Sequence, residues 1–512
     1  MSIQFDFTKS LPKKADTLVL TIFEDLERGP DSKKLDETMN ALINDVLERQ
    51  SGFKGKHGQT LVIRTPKDVP YHQIILLGLG DLDDAQPYLD TEEAGAKLLS
   101  ALKSVSARNV AVDVDISGHK GNKLDEDSVT ANLISGIKLA SYEFHTYKTK
   151  KHDPEKDEDY DLNVKKITFK VNNPDEVKET AETLAAEVEG VFTSRDLANE
   201  PANTLTPDRF ANYIQQELDP LGVKVTVLNE KDLKKMGAGA FLAVGQGSDN
   251  PPRMVIMEYQ GAEKKSDDFP LALIGKGITF DTGGISLKPA GGMQDMKMDM
   301  CGAASVVGTI KSLALRKAKT NVVAAVALAE NMPSHNAYRP GDIIKSLSGK
   351  TIEVLNTDAE GRMVLVDTLT HIQNEYKPKT VINLATLTGA MMVALGSVYA
   401  GAFVNDDDLW GDLEKASTHS GEKLWRMPLD KEFRKAMESE IADLKNLGGR
   451  YAGACTAAGF LEAFIDEDVK WTHVDIAGVA WGKQAKSIYP KGPTGYGVRL
   501  LNRYVEAAWE NR

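Results

Sequence analysis

Cysteine is nearly absent: the 512 residues hold two, Cys301 and Cys455, far apart and in no CxxC spacing. That excludes a disulfide scaffold and the usual structural zinc clip, and it suits a reducing compartment. Long apolar runs are missing too, since no stretch approaches the ~20 residues that span a bilayer. The opening Met1-Ser-Ile-Gln-Phe-Asp has an acid at Asp6 and no apolar core, so no signal peptide is expected. Positive charge is in deficit, with 62 Lys and Arg against 75 Asp and Glu, a net charge of −13. Such a field repels nucleic acid and anionic membrane unless a local basic patch intervenes. These absences place the chain in the cytoplasm, with no membrane partner and no nucleic acid expected.

Several catalytic signatures are lacking as well. Neither HExxH nor GxSxG occurs, which removes the commonest zinc-protease and serine-hydrolase patterns. Ser348-Gly-Lys-Thr351 ends like a P-loop, but Ile344 stands where the first glycine belongs. Gly78-Leu-Gly80 follows a strand-like run without the third glycine of a dinucleotide loop.

What is present is an ordinary globular composition, 41% apolar and 27% charged, on a chain long enough for two cores. Buried strands are predicted at Thr17–Phe23, Thr60–Ile63, Gln73–Leu77 and Val110–Val114, with helical spacing over Ser32–Arg49 and Thr91–Ser104. Residues 148–161 are almost wholly polar and read as a solvated excursion. A strand over Lys166–Val171 follows, then a long helical run over Asp175–Leu197 with Pro174 at its start. Beyond residue 200, apolar strands alternate with helices: Val223–Leu228, Met254–Tyr259, Leu271–Phe280, Asn321–Ala329, Thr380–Thr386 and His473–Ala477. Such runs indicate a sheet covered on both faces. The fold class is α/β in two domains: a smaller N-terminal α/β domain, 1–174, a connecting helix, 175–199, and a larger catalytic α/β domain, 200–512, with a helix-flanked mixed sheet.

Three clusters carry chemistry. In Leu271-Ala-Leu-Ile-Gly-Lys-Gly-Ile-Thr-Phe280, Lys276 interrupts an apolar strand, and Asp281 follows at the strand's carboxyl end, where α/β sheets place ligands. A lysine reaching outward from a strand end, then a plain Asp-Thr-Gly-Gly turn, is the bland alternative. In Met296-Lys-Met-Asp-Met-Cys-Gly-Ala-Ala304, Asp299 stands near a helix start, where it could simply cap. In Asn356-Thr-Asp-Ala-Glu-Gly-Arg362, Asp358 and Glu360 are two apart, so in an extended segment both point to one side. Carboxylates that close repel unless a divalent cation lies between them. A solvated acidic turn is the alternative. Arg362, at the start of a helix over Met363–Tyr376, makes an anion site there.

Together GKGITFDTGG, MKMDMCGAA and NTDAEGR, in this order, resemble the active-site motifs of the leucine aminopeptidase (cytosol aminopeptidase) family. NEPANTLTP from Asn199, ATLTGA from Ala385, GGRYAGACTAA from Gly448 and WTHVDIAG from Trp471 extend the likeness over roughly residues 195–500. Thr282 stands where serine is more usual.

The resemblance implies two divalent metal ions, manganese or zinc, with Asp281 and Glu360 bridging them. Lys276 and Asp299 complete one site, which also takes the substrate's free amino group, and Asp358 completes the other. It implies that Lys276 binds as a neutral amine, that a bridging water is the nucleophile, and that Lys288 stabilises the oxyanion. Arg362 would hold a bicarbonate that moves the proton. Met296, Thr386, Gly389 and the Ala452–Ala454 region are the implied side-chain pocket, with leucine-like N-terminal residues preferred; ordinary core is the alternative for each. The expected partners are peptides with a free N-terminus, and the expected assembly is a homohexamer.

Three rival readings stand beside this one. A DNA-binding regulator on the same scaffold has little basis beyond Lys148–Lys151. A catalytically dead homologue conflicts with the intact set of candidate ligands. A narrow dipeptidase, such as a Cys-Gly hydrolase, would use the same metal shell.

Overall fold

The computed structural model describes residues 3–510 except 13, 25, 27, 40, 50–51, 68, 84, 117–123, 150–163 and 264–267. Most of the polar excursion, and Lys150 and Lys151 within it, therefore lies outside the described residues. Two compact units divide the chain, residues 1–188 with 486–490 and residues 189–485 with 491–512. The division falls within one helix, Pro174–Asn199.

In the first unit a six-stranded sheet runs in the order Gln4–Thr8, Lys166–Lys170, Asn109–Asp113, Thr17–Phe23, Gln73–Gly80, Thr60–Arg64. All neighbours are parallel except the last pair. Helices Pro87–Ser104 and Glu126–Ala140 bury their apolar residues with Val19, Ile75 and Val112 on one face. On the other face Met39 and Ile43 pack with Leu18, Leu20 and Ile74. The expected single helix over Ser32–Arg49 is two, Pro30–Thr38 and Leu42–Arg49. Ala41 lies between them with φ of 60°, a left-handed backbone that no α-helix continues through. The edge strand Gln4–Thr8 and the helix Glu126–Ala140 were not anticipated from the sequence.

The second unit is built on an eight-stranded mixed sheet, in the order Leu424–Arg426, Ala400–Val404, Lys470–Asp475, Thr380–Ala385, Leu271–Asp281, Asn321–Asn331, Arg253–Gln260, Lys224–Leu228. Its four central strands, from Lys470–Asp475 to Asn321–Asn331, are mutually parallel. Helix Cys301–Leu315 covers one face together with Phe210, Leu413 and Leu500. Helix Glu360–Tyr376 covers the other with Phe241, Phe460 and Trp471. Both faces are thus dry, which explains why the central strands read as nearly continuous apolar runs.

One helical stretch, Met293–Leu315, does have the length and apolar composition to cross a bilayer, contrary to the reading of the sequence. Its most apolar window is 78% buried inside the protein, as in a core helix. The predicted strand at His473–Ala477 also shifts, to Lys470–Asp475. Burial on both faces lets Thr472, His473 and Asp475 sit wholly inside that strand, so polarity did not mark its true extent.

Candidate metal centre

The parallel strands all deliver their carboxyl ends to one place, and the carboxylates of the three motifs gather there with Lys276. Asp281 closes strand Leu271–Asp281, and Asp299 follows the short 3-10 helix Met293–Met298. Asp358 stands in a turn, and Glu360 opens helix Glu360–Tyr376. This corrects the expectation of an extended segment: a turn running into a helix brings the two carboxylates together. Ligand-capable oxygens of Asp281, Asp358 and Glu360 all lie within 4.8 Å of one another.

Two lysines enter the same cluster. Lys276 is 2% exposed, which removes the alternative of a side chain reaching into solvent. Its Nζ lies 2.8 Å from Asp299 Oδ1 and 2.9 Å from Glu360 Oε1, and it donates to the Thr386 carbonyl at 2.9 Å. Lys288 Nζ lies 2.8 Å from Asp281 Oδ2 and 2.5 Å from Asp358 Oδ1. Asp299 is no cap: the helix Cys301–Leu315 has no side-chain capping bond, and Asp299 Oδ1 accepts from Lys276 and from Thr386 Oγ1 at 2.8 Å each.

Glycines make this approach possible. A Cβ on Gly302 would stand 2.2 Å from the Leu384 carbonyl oxygen and 3.1 Å from the Lys276 backbone nitrogen. The small-residue helix can therefore lie directly against the strands that carry the lysine. Gly361 plays the same part from the other side, where a Cβ would meet Lys276 Cε at 2.6 Å.

The electrostatics are those of a site short of positive charge. Burial raises the proton affinity of Asp299, Asp358 and Glu360, and the neighbouring carboxylate of Asp281 raises it further. Burial pulls Lys276 and Lys288 the other way, but the surrounding carboxylates win and hold both protons more firmly than an ordinary lysine does. Arg362 is buried, which lowers its pKa to about 10, and it stays charged at neutral pH. Asp299 Oδ2 and Glu360 Oε2 are buried and accept no hydrogen bond among the described residues. Buried, unneutralised carboxylates cost several kcal/mol. Clustered oxygens, an excess of carboxylates over cations and orphaned acceptors fit hard or borderline divalent ions.

Residues not singled out in the sequence fix this arrangement. Asn331 Nδ2 donates to Asp281 Oδ1 at 2.8 Å and to the Thr357 carbonyl at 3.0 Å. The Asn446 carbonyl accepts from Arg362 Nη1 at 2.8 Å. Asn331 had a signal, a polar residue ending an apolar strand; Asn446 had none nearby in sequence.

The implied pocket residues separate into groups. Thr386 is buried and belongs to the charged cluster through Asp299 and Lys276. Gly389 opens the helix Gly389–Leu395, and a Cβ there would meet nothing within 4 Å. The Ala452–Ala454 region meets that helix, since a Cβ on Gly453 would lie 3.3 Å from Ala390 Cβ. Met296 is half-buried on the short helix leading to Asp299.

The catalytic-domain profile described as "Cytosol aminopeptidase family, catalytic domain" matches residues 192–502, and the N-terminal-domain profile of that family matches residues 19–151. The chain belongs to the cytosol aminopeptidase family. It is a metal-dependent aminopeptidase, a peptide hydrolase. The cytosol aminopeptidase of Rickettsia prowazekii is 44% identical over 492 residues, 96% of each chain. A probable cytosol aminopeptidase of Methylorubrum extorquens is 46% identical over 494 residues, again 96% of each. Among solved structures, a tomato leucine aminopeptidase variant superposes with a TM-score of 0.83 at 33% identity, covering 98% of this chain and 96% of that one. The bottromycin maturation enzyme BotP in complex with Mn gives 0.82 at 30% identity, covering 96% and 99%. The aminopeptidase likeness thus extends over the N-terminal unit, where the sequence motifs were silent.

Proposed function

We propose that this aminopeptidase removes N-terminal residues, apolar ones by preference, from peptides at a centre of two divalent ions. The cluster of Asp281, Asp358 and Glu360 oxygens within 4.8 Å, flanked by Asp299 and two lysines, carries this reading. Asp281 and Glu360 are assigned to both ions, Lys276 and Asp299 to one, and Asp358 to the other. Manganese and zinc both suit such a donor set. Bound ions supply Lewis acidity toward the peptide carbonyl and acidify a water at neutral pH.

The chain's own groups do the rest. Lys276 gives up its proton to act as an amine donor, so metal loading and proton release are coupled. Lys288, 22% exposed and at the mouth of the cluster, is the fixed positive charge for the oxyanion that develops on the peptide carbonyl. Arg362 remains protonated and holds a small anion, assigned as bicarbonate, that carries the proton from water to the leaving amine. A free amino group is required because an internal peptide bond offers nothing to the ion held by Lys276 and Asp299.

Gly389 and the Ala452–Ala454 region, with Met296 and Thr386, are assigned to the side-chain pocket. Small residues there leave room for a leucine-sized group. A homohexamer is part of the same proposal. Val393 at 89%, Tyr451 at 81% and Ile441 at 64% exposure are large side chains that such an assembly would cover. The first unit, which holds none of the assigned residues, is given to assembly or access.

The test is hydrolysis of a panel of aminoacyl amides and dipeptides, Cys-Gly included, before and after chelation. Activity on leucine amide is expected to vanish with the metal and return with manganese or zinc. Full turnover in rigorously metal-free enzyme would defeat the assignment, and activity confined to one dipeptide would replace it with a narrow dipeptidase.

A further inference from the structure

A buried polar relay lies in the sheet directly beneath the metal centre. His473 is register partner to Asn383 across the parallel strands, and Asn383 in turn to Ile274. Ile274 is two residues before Lys276 on the same strand, so the three partners share the face of Lys276, one row below it. Trp471, on that face too, donates from Nε1 to Asn383 Oδ1 at 2.8 Å. Asn383 Nδ2 lies 2.8 Å from His473 Nδ1.

The relay determines where the imidazole carries its proton. An indole nitrogen only donates, so the Asn383 oxygen must face Trp471 and its NH2 must face the histidine. His473 Nδ1 is then an acceptor, and the neutral ring has its proton on Nε2. The ring is also clamped by Phe403, its partner on the antiparallel neighbour strand, stacked at 5.9 Å between centroids and 15° between planes. Both constraints fix the direction of Nε2–H. His473 is wholly buried, and its Nε2 has no hydrogen-bond partner among the described residues. Arg362 Nε is a second buried nitrogen of this kind. Burial, together with the positive charges of Arg362 and Lys276, keeps the ring neutral down to a pKa of about 3.

A strand interior could have held an apolar residue at this position. Three polar side chains are used instead to aim one N–H, and leaving it unsatisfied would be costly. We propose that His473 is a positioning residue for peptide hydrolysis: its Nε2–H donates to an acceptor oxygen, of a water or of a small oxyanion, that lies between it and Arg362. The proposal rests on the reading of Arg362 as the holder of the proton-carrying anion, and places His473 behind it. His473 does not touch substrate. It orders the group that Arg362 presents.

Two substitutions separate this from a purely structural role. His473→Gln sets an amide nitrogen near the Nε2 position and gives up the Nδ1 acceptor. His473→Asn keeps a group near Nδ1, within reach of Asn383, and has nothing at Nε2. With metal content verified for each, His473→Asn is expected to lose ~10–100-fold in kcat, as loss of supporting hydrogen bonds around a metal site typically does. KM for leucine amide should change little, and His473→Gln should recover most of the loss. If His473→Asn matches the wild type, or His473→Gln is as impaired as His473→Asn, the Nε2–H has no positioning role. Rates with and without added bicarbonate identify the acceptor. An oxyanion makes His473→Asn require more bicarbonate for half-maximal rate, whereas a water leaves the deficit the same at every concentration. Should neither variant fold, nitrogen NMR of the 15N-histidine-labelled wild-type enzyme decides: an Nε2–H tautomer at neutral pH is expected, and an Nδ1–H tautomer overturns the inference. That readout is independent of peptidase activity, so it stands even if the assignment of Arg362 fails.

Discussion

Lys276 Nζ lies 2.9 Å from Glu360 Oε1, and the two side chains are 3% and 2% exposed. For a pair this deeply buried, removing one partner leaves the other without compensation and is strongly destabilising. Here the pair also marks the seam between strand Leu271–Asp281 and helix Glu360–Tyr376.

The two lysines are expected to fail differently. Lys276→Ala should weaken one metal site, and excess metal should restore part of the activity. Lys288→Ala should keep both metals and lose ~10²–10³ in turnover, the usual cost of removing an oxyanion donor. Arg362→Ala should likewise keep both metals and lose turnover. Elemental analysis beside steady-state kinetics makes the comparison. If Lys288→Ala lost a metal while Lys276→Ala kept two, the roles of the lysines would have to be exchanged.

Metal loading should release protons. Carboxylates hold the Lys276 proton more firmly than usual in the absence of a cation, so an ion that takes its amine must expel it. Calorimetric titration of apo-enzyme in buffers of different ionisation enthalpy reads the proton count directly. The release should be smaller in Lys276→Ala; an unchanged count would mean that the amine is not a ligand.

Stability should fall on the acid side in a way that depends on His473. Its folded pKa is about 3, against an ordinary value of 6.5, so below pH 6.5 the unfolded chain takes a proton that the folded protein refuses. The contribution is fully present above pH 6.5 and is lost progressively toward pH 3. Between pH 6.5 and 5 it amounts to roughly 2 kcal/mol. Urea unfolding of metal-free wild type and His473→Gln at several pH values checks this: the variant should show the shallower pH dependence, and parallel curves would contradict it.

Gly302→Ala should destabilise the second unit by ~1–3 kcal/mol, the range for overpacking. The added methyl would sit 2.2 Å from the Leu384 carbonyl oxygen, a backbone atom in mid-sheet that has little room to move. A lower midpoint in thermal unfolding is expected, and an unchanged midpoint would show that the helix can lift without cost.

Changes to ionisable residues of the first unit, such as Lys103→Ala, should leave the chemical step almost intact. Its Nζ lies 3.6 Å from a Glu143 carboxylate, and both side chains are more than a third exposed, so folding should survive. Single-turnover rates are the appropriate measure. A loss comparable to Asp281→Ala with the oligomer preserved would give that unit a catalytic part.

Much of the site was legible because motif residues carry it: Lys276, Asp281, Asp299, Asp358 and Glu360 each stand in a stretch whose composition is odd for a buried element. What was not legible depends on distant partners. Asn331 matters through Asp281, fifty residues away, and Asn446 through Arg362, eighty-four away; Asn331 shows only as a polar end to an apolar strand, and Asn446 not at all among its own neighbours. The fold followed the same division. Apolar runs located the central strands, while the break at Ala41 hangs on one backbone angle, and the limits of Lys470–Asp475 on polar residues that are buried only in the finished sheet.

The order in which these pieces leave the ribosome matters for a peptidase. Glu360 arrives long after Lys276, the carbonyl that steadies Arg362 later still, and the parallel strand Lys470–Asp475 that borders Thr380–Ala385 last of all. Parallel pairing across such separations closes late, when the whole set of strands is available. A nascent chain therefore carries its carboxylates out one at a time, and the cluster is complete only once Glu360 has followed Asp281, Asp299 and Asp358 out.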